Sequence, residues 1–142
     1  TAVIGMPEGV GEPWFDSIES LLSHALFSIP AVKGVEFGAG FAAARMKGSE
    51  HNDAIINDEG KTLSNHAGGV VGGITNGNEI VARIAIKPTA SIAKAQQTFN
   101  FENGKIEELS IKGRHDVCIT LRAAVVAEAA LAIALADLKL RA

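Results

Sequence analysis

Between residues 66 and 77 the chain carries Gly68, Gly69, Gly72, Gly73 and Gly77, five glycines in twelve residues. Glycine loses more conformational freedom on folding than any other residue, so this density is too high for a stable helix interior and suits an uninterrupted strand poorly. The backbone here is free to come close to something. Either a flat ligand lies over bare main chain, or the glycines serve turns, bulges and tight strand packing.

The segments on either side have clearer periods. After the glycine punctuation at 5–11 and Pro13, the residues Trp14, Ile18, Leu21, Leu22, Ala25 and Leu26 recur at three- and four-residue spacing, which predicts a helix with one apolar face stopped by Pro30. Residues 33–41 alternate around Val35 and Phe37 between glycines, the pattern of a short strand. Residues 47–63 are polar and rich in turn formers, and read as a surface excursion. Ile80, Ala82, Ile84 and Ile86 alternate in a strand that Lys87, Pro88 and Thr89 end. Asn103-Gly104 lies between two short alternating runs, 98–102 and 105–111, and predicts a hairpin whose tight turn has positive φ at both residues. Residues 121–138 form a helix apolar on most sides, which places it at the centre of a core or an oligomer. The resulting class is α+β, with antiparallel hairpins packed on long buried helices in one structural unit, residues 1–142.

Composition narrows the function. With 13 Lys and Arg against 16 Asp and Glu there is no basic field for nucleic acid, so an anionic ligand must find a local group of cations. The most apolar stretch, 123–136, contains Glu128 and is shorter than the roughly 20 residues of a bilayer span. One cysteine, Cys118, excludes an internal disulfide framework and fits a reducing compartment, with the cytoplasm as the expectation. No His-x-x-x-His spacing points to a metal. The start, Thr1 to Met6, has neither an initiator Met nor a signal-peptide pattern, as expected of a fragment.

Three clusters could carry chemistry. Arg114-His115-Asp116 precedes the apolar helix, where backbone N–H donors attract anions. Arg114 could clamp a phosphate or carboxylate and Asp116 could act in acid–base or orienting roles; the alternative is Asp116 as a helix cap with Arg114 as its surface partner. Lys87-Pro88-Thr89-Ala90-Ser91 offers a cation and hydroxyls at a rigid strand end, without the spacing of a nucleotide phosphate loop; the alternative is an ordinary strand end with an exposed lysine. Asn65-His66-Ala67-Gly68-Gly69 carries a histidine with no carboxylate located for it. His24 reads as structural or solvent-facing, and His51 has no identifiable partner.

Taken together, these segments resemble chorismate synthase. Gly11-Glu12-Pro13-Trp14-Phe15-Asp16, the run 28–36 with Lys33-Gly34-Val35-Glu36, Gly48-Ser49-Glu50-His51-Asn52-Asp53, the glycine-rich stretch 65–77, Lys87 to Ser91, and Arg114 to Cys118 with Arg122 follow the family's motifs in order. The resemblance implies a larger β-α-β sandwich and a 1,4-elimination in which 5-enolpyruvylshikimate 3-phosphate loses phosphate and a ring proton to give chorismate. It further implies reduced FMN without net oxidation, NADPH as an associated reductant, and a cytoplasmic homotetramer. Carried over position by position, the cofactor contacts fall on Pro30, Ala31, Gly72, Lys87, Pro88, Thr89, Ala90, Ser91 and Arg114, and the catalytic roles on Asp116 and Arg114. The family often has Asn where Pro30 stands, so a side-chain amide contact there is lost while a backbone contact survives. Its catalytic histidines and substrate-gripping arginines belong to an N-terminal half outside these residues, so the chain alone is expected to be inactive or nearly so. A non-catalytic FMN- or phosphate-binding module and an oligomerisation module are the competing readings.

Overall fold

Ser17 starts the first helix. Its hydroxyl oxygen accepts from the Ser20 N–H at 3.2 Å, satisfying one of the donors that a helix start leaves open. The computed structural model describes residues 1–141, and in it α1 spans Ile18–Phe27 and buries Ile18, Leu22 and Leu26, one residue per turn. Trp14, read from its spacing as part of that face, instead belongs to a separate 3-10 turn, Trp14–Asp16, and is 82% exposed. The helix ends before Pro30, with the Ser28 N–H returning to the His24 and Leu26 carbonyls.

Strand β5 (Ile80–Ile86) is the middle of a three-stranded antiparallel sheet in the order β1-β5-β2, with β1 at Ala2–Val3 and β2 at Val32–Phe37. Val35 faces Ile84 and Phe37 faces Ala82 across the β2–β5 ladder. The buried side chains of β5, Ile80 and Ala82, join Ile18, Leu22, Leu26 and Val32 in the core. Burying such Leu and Ile side chains fully contributes about 1.5–3 kcal/mol each, the main force setting α1 on the sheet.

The glycine-rich stretch contains a small hairpin, β3 (Val70–Val71) and β4 (Ile74–Thr75), joined by Gly72-Gly73 at φ 63° and 92°. Two left-handed residues in succession are what a two-residue hairpin of this hand demands, and glycine supplies them without a Cβ clash. The excursion of residues 47–63 holds one helical turn, α2 (Gly48–His51), and the bridge Ile55–Thr62.

Two expectations need correcting. The second hairpin pairs β6 (Gln96–Asn100) with β7 (Lys105–Leu109), and the Gly104 N–H donates to the Asn100 carbonyl at 2.9 Å around a longer loop. Only Gly104 has positive φ there; Asn103 does not, because the extra residues share out the reversal that a two-residue turn would concentrate. Helix α3 (Thr120–Arg141) is not buried all round. Ala127, Leu131, Leu135 and Leu138 form one buried stripe against α1 and the sheet, while Leu121, Val125, Ile133 and Leu140 are 84%, 68%, 72% and 88% exposed. A three-stranded sheet and a ten-residue α1 cover one side of a helix about 10 Å wide and no more.

Candidate functional site

The β2–β5 ladder has two ends, and the clusters sort between them. At one end Val32 pairs with Ile86, and just beyond it the Lys87 N–H donates to the Ala31 carbonyl at 2.9 Å. This bond brings Pro30 and Ala31 beside the Lys87–Ser91 turn. Ala31 holds φ 75°, one of two non-glycine residues with positive φ among those described. That conformation costs a side-chain-bearing residue about 1–2 kcal/mol and persists only where the surroundings impose it. Here the surroundings are the turn after α1 and the start of β2.

The third segment joins through Thr89, whose hydroxyl donates to the Asp116 main-chain carbonyl at 2.6 Å. The Asp116 carboxylate pairs with Arg122 at 3.0 Å on the first turn of α3. The capping reading of Asp116 is therefore corrected: α3 starts at Thr120, and the aspartate's cationic partner is Arg122 rather than Arg114. Arg114 and Lys87 are both exposed and have no ion-pair partner among the described residues. Two cations without ion-pair partners, on segments that the Lys87–Ala31 and Thr89–Asp116 bonds tie to one end of the ladder, suit an anionic ligand. The ion pair between Asp116 and Arg122 is solvent-accessible and orients the carboxylate more than it stabilises the fold.

Cys118, placed in a motif by the sequence but given no surroundings there, lies exposed just before α3. Its thiol meets the Thr120 hydroxyl and the Thr120 and Leu121 N–H groups at the start of α3, and these hydrogen bonds hold its pKa below that of an ordinary cysteine. The available signal was a cysteine two residues before a helix start. Arg122 was noted as part of a motif, but nothing in the sequence named its partner.

Gly72 lies at the other end. The Ile18 N–H donates to the Gly73 carbonyl at 2.9 Å, which fixes this hairpin at the N-terminus of α1, whereas Ala31 follows its C-terminus. A ten-residue helix separates the two by about 15 Å. The glycines here divide by cause. A Cβ on Gly68 would strike the backbone of Gly38, one on Gly69 the Glu79 carbonyl, and one on Gly73 would lie 2.9 Å from the Ser17 Cβ, so these three serve packing. A Cβ on Gly72 would meet nothing within 4 Å. It faces open space. His66 also sits at this end and does have a carboxylate: Asp53, with His66 Nδ1 and Asp53 Oδ1 3.2 Å apart.

Known proteins similar to this chain form a consistent group. A family model described as chorismate synthase matches residues 1–140. A chorismate synthase of Chitinophaga pinensis is 65% identical over 138 residues, covering 97% of this chain and 42% of that protein. One from Korarchaeum cryptofilum is 54% identical over 136 residues, covering 94% of this chain and 38% of its own length. A crystal structure of chorismate synthase superposes with a TM-score of 0.76 at 37% identity, over 99% of this chain and 36% of that one. The chain thus spans about two-fifths of the length of these relatives.

Proposed function

Because the chain belongs to the chorismate synthase family, we propose that it forms part of an enzyme catalysing the 1,4-elimination of phosphate from 5-enolpyruvylshikimate 3-phosphate, and that Ala31, Lys87 to Ser91 and Arg114 hold reduced FMN in it. The observation that carries the reading is the convergence of three separate segments at one end of the β2–β5 ladder, through the Lys87–Ala31 and Thr89–Asp116 hydrogen bonds. Bound reduced FMN supplies the electron-rich surface that the elimination requires without net oxidation.

The chain's own residues have defined tasks in this reading. Lys87 and Arg114 attract and orient anionic oxygens, Arg114 through its planar fork of donors and Lys87 as a point charge. Pro30 and Ala31 present main chain, Pro30 through its carbonyl alone, since a proline has no N–H to donate. The Asp116 carboxylate, steadied by Arg122, accepts or directs a proton near the cofactor as the substrate's C–O bond to phosphate breaks and its ring proton leaves. Gly72, at the far end of α1, reaches the same cofactor only if the ligand or a second copy bridges the distance.

The remainder of the fold follows the same proposal. The exposed stripe of α3 and the exposed face of the β6–β7 hairpin are to be covered by the rest of a longer chain, giving two sheets around a helical layer in a cytoplasmic homo-oligomer. No helix among the described residues is long and apolar enough to cross a membrane.

A chimera tests the reading directly. Residues 1–142 replace the matching segment of the Chitinophaga relative, and chorismate and phosphate are measured anaerobically with reduced FMN. Activity within tenfold of the parent is expected, falling at least tenfold on Lys87→Ala or Arg114→Ala. A folded chimera that binds FMN yet forms no product overturns it.

A further inference from the structure

We propose that His66 is the hydrogen-bond acceptor of a second small-molecule site, at the end of the sheet opposite Lys87 and Arg114, for a ring-bearing ligand with a hydroxyl donor. The distance separates the two sites: seven-residue β5 runs between them, about 20 Å at the rise of an extended strand.

The acceptor is fixed from three directions. Asp53, whose side chain is 9% exposed, accepts from the His66 N–H at 2.8 Å, the Ala67 N–H at 2.9 Å and the Ser64 hydroxyl at 2.8 Å. The Ala39 N–H donates to the His66 carbonyl at 2.7 Å, so both backbone groups of the histidine are tied. The imidazole Nδ1 is buried, lies 3.2 Å from Asp53 Oδ1 and makes no hydrogen bond. An anionic oxygen at this distance still favours the proton on Nδ1, because the alternative tautomer would set a lone pair against the carboxylate. Nε2 is then left with its lone pair free.

His66 borders a cleft of about 510 Å³ whose walls include Val35, Phe37, Phe41, Ala44 and Val70. That volume is within the range of small-molecule sites, and mainly apolar walls with a few convergent polar groups are their usual lining. His51 flanks it with its ring centroid 5.7 Å from that of His66, and also borders the adjoining cleft of about 920 Å³. The charges around the smaller cleft select the ligand's polar group. Glu36 and Arg83 pair at 2.8 Å and offset one another, which leaves Glu19 as the unpaired charge lining the cleft. Partial burial raises the Glu19 pKa, in keeping with an environment short of cations. An anionic ligand is repelled, and a neutral donor finds the free lone pair of Nε2.

Phenol, anisole and benzoate serve as probes with the intact chain, followed by the ring resonances of His66 and Phe37 in NMR titrations. Phenol should give saturable shifts at both residues. Anisole, which has the ring without the donor, should bind at least tenfold more weakly, and benzoate should not saturate. His66→Phe should abolish the preference for phenol over anisole, and Asp53→Asn should weaken it. Equal binding of phenol and anisole to the unaltered chain overturns the proposal, as does saturable binding of benzoate or shifts confined to the exposed face of α3. The probe comparison needs no variant, so it decides even if a substitution prevents folding.

Discussion

Asp53 shows how much one side chain can organise. Burial opposes its ionisation, but the N–H groups of Ala67 and His66, the Ser64 hydroxyl and the nearby imidazole outweigh that and hold its carboxyl below the usual aspartate range. A depressed folded-state pKa means stability that is fully present above the unfolded value, near 3.9, and lost as pH falls through the folded one. Asp53→Asn should therefore cost about 1–3 kcal/mol at neutral pH, as three donors lose a charged acceptor, and should blunt the acid limb of urea-denaturation profiles recorded between pH 2 and 7. Asp116 is the contrast, since its carboxylate is accessible and paired only with Arg122. In the chimera, Asp116→Asn should lower kcat at least tenfold and leave FMN affinity within about twofold; losses of equal size in both would make it a purely structural group. Neither partnership was legible in the sequence. Asp53 and His66 are thirteen residues apart across a polar excursion, and Asp116 faces forward to Arg122 when its nearer arginine neighbour is Arg114.

The elements were legible where one period governs them. Strand β5 has the bounds its alternation predicts, and α1 buries the Ile18, Leu22 and Leu26 face that its spacing predicts. Trp14 fits the same spacing but stands before the Ser17 cap, and a cap outranks periodicity. The β6–β7 turn was misread because Asn-Gly specifies a local preference, while the register of Phe99 with Ile106 sets the loop length. For α3 the sequence reports that nearly every face is apolar, not which face finds a partner. Leu131 and Ile133 separate those facts: Leu131 is 2% exposed and Ile133 72%. Leu131→Ala should cost about 2–5 kcal/mol in chemical denaturation. Ile133→Ser should change stability by no more than about 0.5 kcal/mol, and any larger loss would mean that its face is covered within the chain itself.

For the molecule as a whole, the exposed apolar stripe of α3 and the exposed β6–β7 hairpin leave a surface that monomeric proteins seldom tolerate. The isolated chain should bind a hydrophobic dye such as ANS and associate without a fixed stoichiometry in sedimentation at high concentration, and the chimera should bind little dye and sediment as one defined species. The same incompleteness bears on Ala31. Its left-handed backbone is a loaded spring, kept compressed by the β2–β5 ladder and by the stability of the core behind it. Ala31→Gly would release about 1–2 kcal/mol of that compression, while the freer unfolded chain takes back about 0.4–1 kcal/mol. The variant should melt slightly higher and hold its turn less firmly. A more durable protein with a slacker turn is the trade that this one torsion angle sets.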